Sequence, residues 1–125
     1  MAEARHKVLF VDDTSDTRAL VEFALQQDGF GVTAVGTAEE GLRQARENPF
    51  ALILLDIGLP DKDGLELCRE IRGFDEKTPV LFYTAFADLL DDHEAMRAGA
   101  QGALRKPEDT ARLGSAIRQL IEESA

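Results

Sequence analysis

The chain has 125 residues, 44% of them hydrophobic and 30% charged, which suits one globular domain and excludes disordered and fibrous classes. Its 14 lysines and arginines face 24 aspartates and glutamates, so the formal net charge is −10. A chain this acidic is not expected to bind nucleic acid directly or to associate with an anionic membrane surface, because both need clustered cations.

Short runs typical of β-strands alternate with helical patterns along the chain. The first, third and fourth runs are apolar throughout, as in strands that helices cover on both faces. The predicted strands are Val8–Val11, Gly31–Val35, Ala51–Leu55, Val80–Tyr83 and Gly102–Arg105.

Helices are predicted between these strands and after the last one. Thr37 with Glu40, and again Asp63 with Glu66, have the spacing of a capping box at a helix start. Gly99 is typical of the residue that ends a helix. Five strands that alternate with five helices predict an α/β fold, a doubly wound parallel sheet with helices on both faces.

The cysteine content and the apolar runs bear on where the protein works. Cys68 is the only cysteine, so an internal disulfide is excluded and a reducing compartment suits the chain. No apolar run is long enough for a signal peptide or a membrane span. We therefore expect a cytoplasmic protein with a single domain over residues 1–125.

Polar side chains follow four of the predicted strands. In chain order they are Asp12 and Asp13, Asp56, Thr84, and Lys106. In a doubly wound sheet, ligands bind outside the carboxyl ends of the strands. These side chains are therefore expected to share one crevice.

This set of residues suits phosphoryl chemistry. Three carboxylates in one crevice repel one another and require a cation, and a few oxygen ligands favour Mg²⁺. The Lys106 ammonium and the Thr84 hydroxyl would surround a phosphoryl group together with the metal. An aspartate can then act as the nucleophile that forms an acyl phosphate. Asp56 is favoured for this role, because it stands alone while Asp12 and Asp13 form a pair that can hold the metal.

Each of these residues also has a simpler structural explanation. Asp12 and Asp13 could cap the first helix together with Thr14 and Ser15, and Asp56 alone could be a turn residue. The threonine and the lysine could belong to an ordinary strand end and loop. The occurrence of all five at the expected strand ends favours a functional site.

Four segments have a characteristic order and spacing. They are Val8–Asp13, Leu54–Gly64, Tyr83–Ala85, and Gly99–Ala100 leading to Lys106–Pro107. Together they resemble the receiver domain of two-component response regulators, of the single-domain chemotaxis type, over essentially the whole chain. The resemblance implies the flavodoxin-like strand order 2-1-3-4-5.

The resemblance also implies how the metal and the phosphoryl group are bound. Asp56 would accept the phosphoryl group from a sensor histidine kinase or a histidine phosphotransfer protein. Asp13 would bind Mg²⁺ directly and Asp12 largely through water. Asp56 and the backbone carbonyl of Gly58 would complete the protein ligands.

Two further residues would contact the phosphoryl oxygens, namely Thr84 and Lys106. The Lys106–Pro107 peptide bond is often cis in such domains. The resemblance implies a signalling domain that switches its binding to a downstream target protein. It would not be an enzyme in the ordinary sense, because it would catalyse only its own phosphorylation and dephosphorylation.

The chain departs from the family at one position of the expected switch. The family commonly has an aromatic residue three positions before the lysine, where this chain has Ala103. A methyl group cannot fill the space that the threonine vacates. We therefore expect the signal to travel through Thr84 and Phe86 into the following helix, where Leu89 and Leu90 would form part of a partner surface. The alternative is that Phe86 is simply a core residue or a shield over the site.

Two other functions share some of these features. A receiver-like interaction module without phosphorylation would have the same fold, but such modules have usually lost one of the site residues. A phosphohydrolase of the haloacid dehalogenase type would need Asp-x-Asp after the first strand, whereas Asp12 and Asp13 are adjacent.

The last helix is predicted to end near Glu123, and we expect no DNA-binding domain after it. The chain could be a free-standing receiver or one cut from a longer protein.

Overall fold

The structure is a computed structural model that describes residues 5–86 and 92–124. Within these ranges five strands alternate with five helices, as predicted. In chain order they are β1 (Lys7–Val11), α1 (Ser15–Gln27), β2 (Gly31–Val35), α2 (Ala38–Glu47), β3 (Leu52–Leu55), α3 (Gly64–Arg72), β4 (Val80–Thr84), α4 (Asp92–Ala98), β5 (Gly102–Arg105) and α5 (Leu113–Glu123). Leu89 and Leu90, the expected partner surface, lie outside the described residues. In the described ranges, no helix has the length and apolar character needed to cross a membrane.

All five strands lie parallel in one sheet, in the order β2-β1-β3-β4-β5. This order confirms the expected flavodoxin-like topology. The ends of β1 and β3 are neighbours, because Val11 pairs with Leu55. β4 runs one residue further than predicted and includes Thr84, which pairs with Arg105 of β5.

Side chains of the sheet alternate between two faces, and helices cover both. On one face, Leu9 and Val11 pack among residues of α2, α3 and α4. On the other face, Val8 and Phe10 pack against α1 and α5. All four are fully buried, and each such side chain contributes about 1.5–3 kcal/mol of transfer free energy. The apolar runs thus place β1, β3 and β4 at the centre of the sheet.

Both helix starts that the capping boxes predicted are confirmed. Thr37 Oγ1 accepts a hydrogen bond from the Glu40 N–H at 3.1 Å. Asp63 Oδ1 accepts one from the Leu65 N–H at 2.6 Å, one residue earlier than the capping box implies. These caps satisfy amides that have no partner inside the helix.

The C-terminal end of α4 is held against α3. Gly99 has φ +104°, the left-handed conformation expected of the residue that ends a helix. Its carbonyl accepts hydrogen bonds from Nε and Nη2 of Arg72, at 2.9 and 2.8 Å. The carbonyl of Ala98 accepts a hydrogen bond from the Cys68 thiol at 3.2 Å. The last turn of α4 is therefore fixed to its neighbour.

Candidate functional site

The polar residues predicted at the strand ends lie at the carboxyl edge of the sheet. The structure brings Asp12, Asp13, Asp56 and Lys106 into direct proximity, and it places Thr84 at the end of the neighbouring strand β4. Asp12 and Thr84 are fully buried, Asp56 is 5% exposed, and Asp13 is exposed. The site therefore combines buried carboxylates with one that solvent reaches freely.

The three aspartates form a compact acidic cluster. Asp12, Asp13 and Asp56 each offer a carboxylate oxygen, and these three atoms lie within 4.8 Å of one another. Within residues 5–86 and 92–124, this is the one group of three such side chains close enough to share a metal ion. Carboxylates at these distances repel, and a hard divalent cation with oxygen ligands relieves the repulsion.

Lys106 supplies a positive charge to the cluster. Its Nζ donates hydrogen bonds to Oδ2 of Asp12 and to Oδ2 of Asp56, the latter at 2.9 Å. The same Nζ lies 5.4 Å from the centroid of the Tyr83 ring, a distance at which an aromatic face attracts a cation. The sequence indicated Lys106 only as a phosphoryl contact. The structure shows it bound directly to the candidate acceptor, and the Lys106–Pro107 peptide bond after it is cis, as expected.

Burial and pairing act in opposite directions on these charges. Burial raises the pKa of Asp12, and hydrogen bonds from Lys106 and the Thr14 amide offset this only in part. Burial alone would lower the pKa of Lys106, but its hydrogen bonds to Asp12 and Asp56 raise it instead. The cluster remains short of positive charge, because one ammonium faces three carboxylates. This imbalance favours the binding of a further cation.

The helix-cap explanation of the acidic pair accounts for one oxygen only. Asp12 Oδ1 accepts a hydrogen bond from the Thr14 N–H at 2.9 Å, while Oδ2 faces Lys106. Thr14, the residue before α1, makes no capping hydrogen bond with its own side chain. Arg18 Nη1 donates to the backbone carbonyl of Asp12 at 2.7 Å and helps to fix its position. Nothing in the sequence pattern had indicated Arg18.

Gly64 allows the chain to pass close to Asp56. A Cβ on Gly64 would lie 2.1 Å from the carbonyl oxygen of Asp56, so a larger residue would displace the loop. The Gly64 N–H donates to the carbonyl of Ile57 at 2.9 Å. The Ile57 N–H in turn donates to Oδ1 of Asp56 at 2.7 Å, which orients that carboxylate. The sequence indicates Gly64 as part of a capping box and of the segment Leu54–Gly64, but it does not indicate this contact.

Thr84 is connected to the loop that follows β4. Its Oγ1 accepts a hydrogen bond from the Phe86 N–H at 3.1 Å, a bond that does not use the hydroxyl proton. Phe86 is 51% exposed, and a Cβ on Gly58 would lie 3.0 Å from its ring. Ala103 is half-buried and lines a surface cavity of about 210 Å³ together with Ala95, Met96, Gln101 and Gly102.

Comparison with known proteins places the sequence in one family. The family described as the response regulator receiver domain matches residues 8–118. The transcriptional regulatory protein CseB of Streptomyces avermitilis is 43% identical over 122 residues, which are 97% of this chain and 51% of CseB. The response regulator ArlR of Staphylococcus saprophyticus is 34% identical over 115 residues, 92% of this chain and 52% of ArlR. The chain thus spans about half the length of these curated relatives.

Solved structures share the fold. A CheY-like receiver domain protein of Methanospirillum hungatei superposes with a TM-score of 0.91 at 28% identity and covers 97% of both chains. The receiver domain of the sensor histidine kinase PA1611 of Pseudomonas aeruginosa has a magnesium ion coordinated in its active site cleft (TM-score 0.86, 30% identity, 95% of this chain and 99% of that one). TrrA of Thermotoga maritima is known in complex with Mg²⁺-BeF (TM-score 0.84, 26% identity, 91% and 97% covered). With its matching sequence, strand order and acidic cluster, this chain belongs to the response regulator receiver domains of two-component signalling.

Proposed function

We propose that the chain accepts a phosphoryl group on Asp56 from a phosphohistidine donor, with Mg²⁺ bound beside it, and signals the change to a partner protein. One observation carries this proposal. Three carboxylates offer oxygens within 4.8 Å of one another, and the Lys106 ammonium is bound to two of them. Such a site suits a phosphoryl group held between a metal ion and a lysine.

The donor set fits Mg²⁺. We assign the carboxylates of Asp12, Asp13 and Asp56 and the backbone carbonyl of Gly58 as its protein ligands, with Asp12 acting largely through water. Mg²⁺ binds few protein oxygens and keeps several waters, and the exposure of Asp13 leaves room for them. When bound, the ion neutralises negative charge on the transferring phosphoryl oxygens. The magnesium ions in the structures of PA1611 and TrrA support a Mg²⁺ site in this chain.

The transfer exchanges one bond to phosphorus for another. A carboxylate oxygen of Asp56 attacks the phosphorus of the phosphohistidine, and an O–P bond forms as the P–N bond breaks. The electron pair of the broken bond stays on the ring nitrogen, and the donor ring, protonated on its other nitrogen, leaves as neutral imidazole. Water later attacks the phosphorus, which releases inorganic phosphate and restores the Asp56 carboxylate.

Thr84 and Lys106 bind the phosphoryl oxygens in this proposal. Lys106 already donates to Asp56 and is therefore within reach of a group attached to that residue. The hydroxyl of Thr84 accepts from Phe86 with its oxygen, a bond that does not use the proton that it would donate to a phosphoryl oxygen. Both contacts stabilise the negative charge that the new group brings.

The partners follow from this chemistry. The donor is a sensor histidine kinase or a histidine phosphotransfer protein, and a downstream target protein receives the signal. The net charge of −10 disfavours direct contact with nucleic acid or a membrane surface. We place the exchange in the cytoplasm, which suits a chain whose single cysteine, Cys68, is buried as a free thiol. We regard residues 1–125 as one phospho-accepting signalling domain rather than an enzyme for other substrates.

Acetyl phosphate tests the assignment of the acceptor. With Mg²⁺ present, intact-mass measurement should show the wild-type protein gaining one phosphoryl group, and chelation of the metal should prevent the gain. Asp56→Asn should remain unlabelled. Asp75→Asn, which removes an acidic residue of the α3–β4 loop, should be labelled like the wild type. Labelling of Asp56→Asn at the wild-type rate would refute the assignment.

A further inference from the structure

Asp61 makes a contact that its place in the sequence does not explain. Its Oδ1 accepts a hydrogen bond from the Ala38 N–H at 2.9 Å, and its Oδ2 accepts one from the Glu39 N–H at 3.0 Å. The donors are the first two residues of α2, 23 and 22 positions away in the chain. We call this pair of hydrogen bonds the Asp61 clamp.

On one side, the clamp holds the loop that carries the candidate acceptor. Gly58 and Asp63 form an antiparallel bridge, and the Gly64 N–H donates to the Ile57 carbonyl at 2.9 Å. These contacts close the segment between β3 and α3 into a compact loop. Asp61 lies between the two bridged residues, so its carboxylate connects the tip of this loop to α2.

On the other side, the clamp reaches the segment that holds the acidic pair. The Asp12 N–H donates to the carbonyl of Val35 at 3.0 Å, at the end of β2. Arg18 donates to the Asp12 carbonyl, and its guanidinium lies beside Gly36, where a Cβ would be 2.9 Å from Nη1. Three residues after Val35, α2 begins at Ala38, the first donor of the clamp. A chain of short contacts thus links Asp12 to the loop of Asp56 through α2.

The clamp complements the local cap of α2, because Thr37 reaches only one of the amides that lack a partner inside the helix. Thr37 Oγ1 already accepts from the Glu40 N–H, as a residue before a helix normally does. Burial alone would raise the pKa of Asp61, but the hydrogen bonds from Ala38 and Glu39 lower it, so the carboxylate is ionised at neutral pH and accepts strongly.

We propose that Asp61 is a positioning residue for the metal site: through the clamp it holds the β3–α3 loop, with Asp56 and Gly58, at a fixed distance from Asp12 and Asp13. This inference rests on the proposed function, because it assigns Asp61 a role in the same Mg²⁺ site. Mg²⁺ demands near-ideal octahedral geometry, so a loop that drifts relative to the acidic pair binds it less well.

Calorimetric titration of the metal-free protein with MgCl₂ tests the clamp in three variants. Asp61→Ala removes both acceptor oxygens. Thr37→Ala removes the local cap of the same helix. Glu39→Gln removes one nearby negative charge but leaves both hydrogen bonds of the clamp in place, because Glu39 contributes only its backbone N–H. Circular dichroism and urea denaturation establish that each variant is folded at the temperature of the titration.

We expect Asp61→Ala to raise the Kd for Mg²⁺ about tenfold, the lower end of what loss of a supporting contact costs a metal site. Thr37→Ala should lose stability without a change in Kd, and Glu39→Gln should bind like the wild type. An unchanged Kd in Asp61→Ala overturns the positioning role of Asp61. An equal weakening of Mg²⁺ binding in Thr37→Ala or in Glu39→Gln does so as well. A wild-type protein that fails to bind Mg²⁺ would instead refute the proposed function, and the role of Asp61 with it.

Discussion

The ammonium nitrogen of Lys106 lies 2.9 Å from Oδ2 of Asp56, although the two residues are 50 positions apart in the chain. The same nitrogen also donates to the buried carboxylate of Asp12. One cation thus serves two carboxylates that have little access to water. In the metal-free protein, the lysine is the counter-ion of the site as well as a candidate ligand of the phosphoryl group.

Removal of this counter-ion should destabilise the metal-free protein. Lys106→Met leaves two buried carboxylates without their cation, and we expect the free energy of unfolding to fall by about 2–4 kcal/mol. Mg²⁺ should restore part of the loss, because it neutralises the same carboxylates. Urea denaturation with chelator and with excess Mg²⁺ measures both effects.

Lys62→Met is the matched control for this variant. Lys62 pairs with Glu70 at 2.6 Å, but both side chains are about one third exposed (30% and 38%), so its loss should cost much less than the loss of Lys106. Equal losses in the two variants, or a Lys106→Met loss that Mg²⁺ leaves unchanged, would contradict the role of Lys106 as counter-ion.

The two glycines beside Asp56 should respond differently to alanine. In Gly64→Ala the new Cβ would lie 2.1 Å from the Asp56 carbonyl, a backbone atom that cannot turn away. We expect a loss of about 3 kcal/mol, because this clash exceeds the gain of about 1 kcal/mol that alanine brings to a helix. In Gly58→Ala the nearest atom belongs to the ring of Phe86, which is half exposed and can move. Thermal or urea unfolding of both variants checks the order, and a Gly58→Ala protein less stable than Gly64→Ala would contradict it.

Asp75 should make stability depend on acidic pH. Its Oδ1 accepts from the N–H groups of Lys77 and Thr78, both at 3.0 Å, and its Oδ2 accepts from the Thr78 hydroxyl. Burial alone would raise the pKa of Asp75, but these hydrogen bonds lower it below the ordinary value of 3.8. A carboxyl whose pKa is lower in the folded state stabilises the fold above the unfolded pKa. That contribution is lost as the pH falls through the folded pKa.

The expected measurement is a comparison of Asp75→Asn with the wild type across the acidic range. Near neutral pH the variant should be less stable by about 1 kcal/mol, because the charged acceptor is gone. The difference should shrink as the pH falls from 3.8, where the unfolded chain takes up the proton, through the lower pKa of Asp75 in the folded protein. A difference that stays constant down to the acid transition would show that the ionised form of Asp75 makes no contribution.

Activation should change the amide NMR resonance of Phe86. Its N–H donates to Thr84 Oγ1, so a turn of the hydroxyl towards a phosphoryl group changes this hydrogen bond. With Mg²⁺ and beryllofluoride, we expect the Phe86 amide resonance and those of α4 to shift. In Thr84→Val, which keeps the shape but not the hydroxyl, the Phe86 response should be lost. Shifts confined to the residues around Asp56 would contradict this route.

The sequence was sufficient to predict most of the sheet and the acidic cluster. Apolar runs followed by aspartate mark the ends of β1 and β3, and parallel neighbours bring Asp12 and Asp56 to the same edge. The sequence predicts that β4 ends at Tyr83, because the apolar pattern stops there. In the structure Thr84 pairs with Arg105 and is the last residue of the strand.

Contacts between distant loops were beyond the reach of the sequence pattern. The close passage of Gly64 over the Asp56 carbonyl depends on the path of a loop, and no periodicity encodes that path. The helix that Asp61 caps begins more than 20 positions away in the chain, and no local spacing indicates such a partner. Arg18 likewise binds a backbone carbonyl, a partner that carries no sequence signal.

The C-terminal end of α4 is fixed to α3. Arg72 donates hydrogen bonds to the carbonyl of Gly99, and Cys68 donates one to the carbonyl of Ala98. If α4 tilts, it must therefore pivot about this end. The described part of α4 has seven residues, which at about 1.5 Å each put Asp92 roughly 10 Å from Gly99. A tilt around Gly99 therefore moves the beginning of α4 several times further than Arg97 near its end. A displacement of the beginning of α4 is therefore compatible with the hydrogen bonds that hold its last turn against α3.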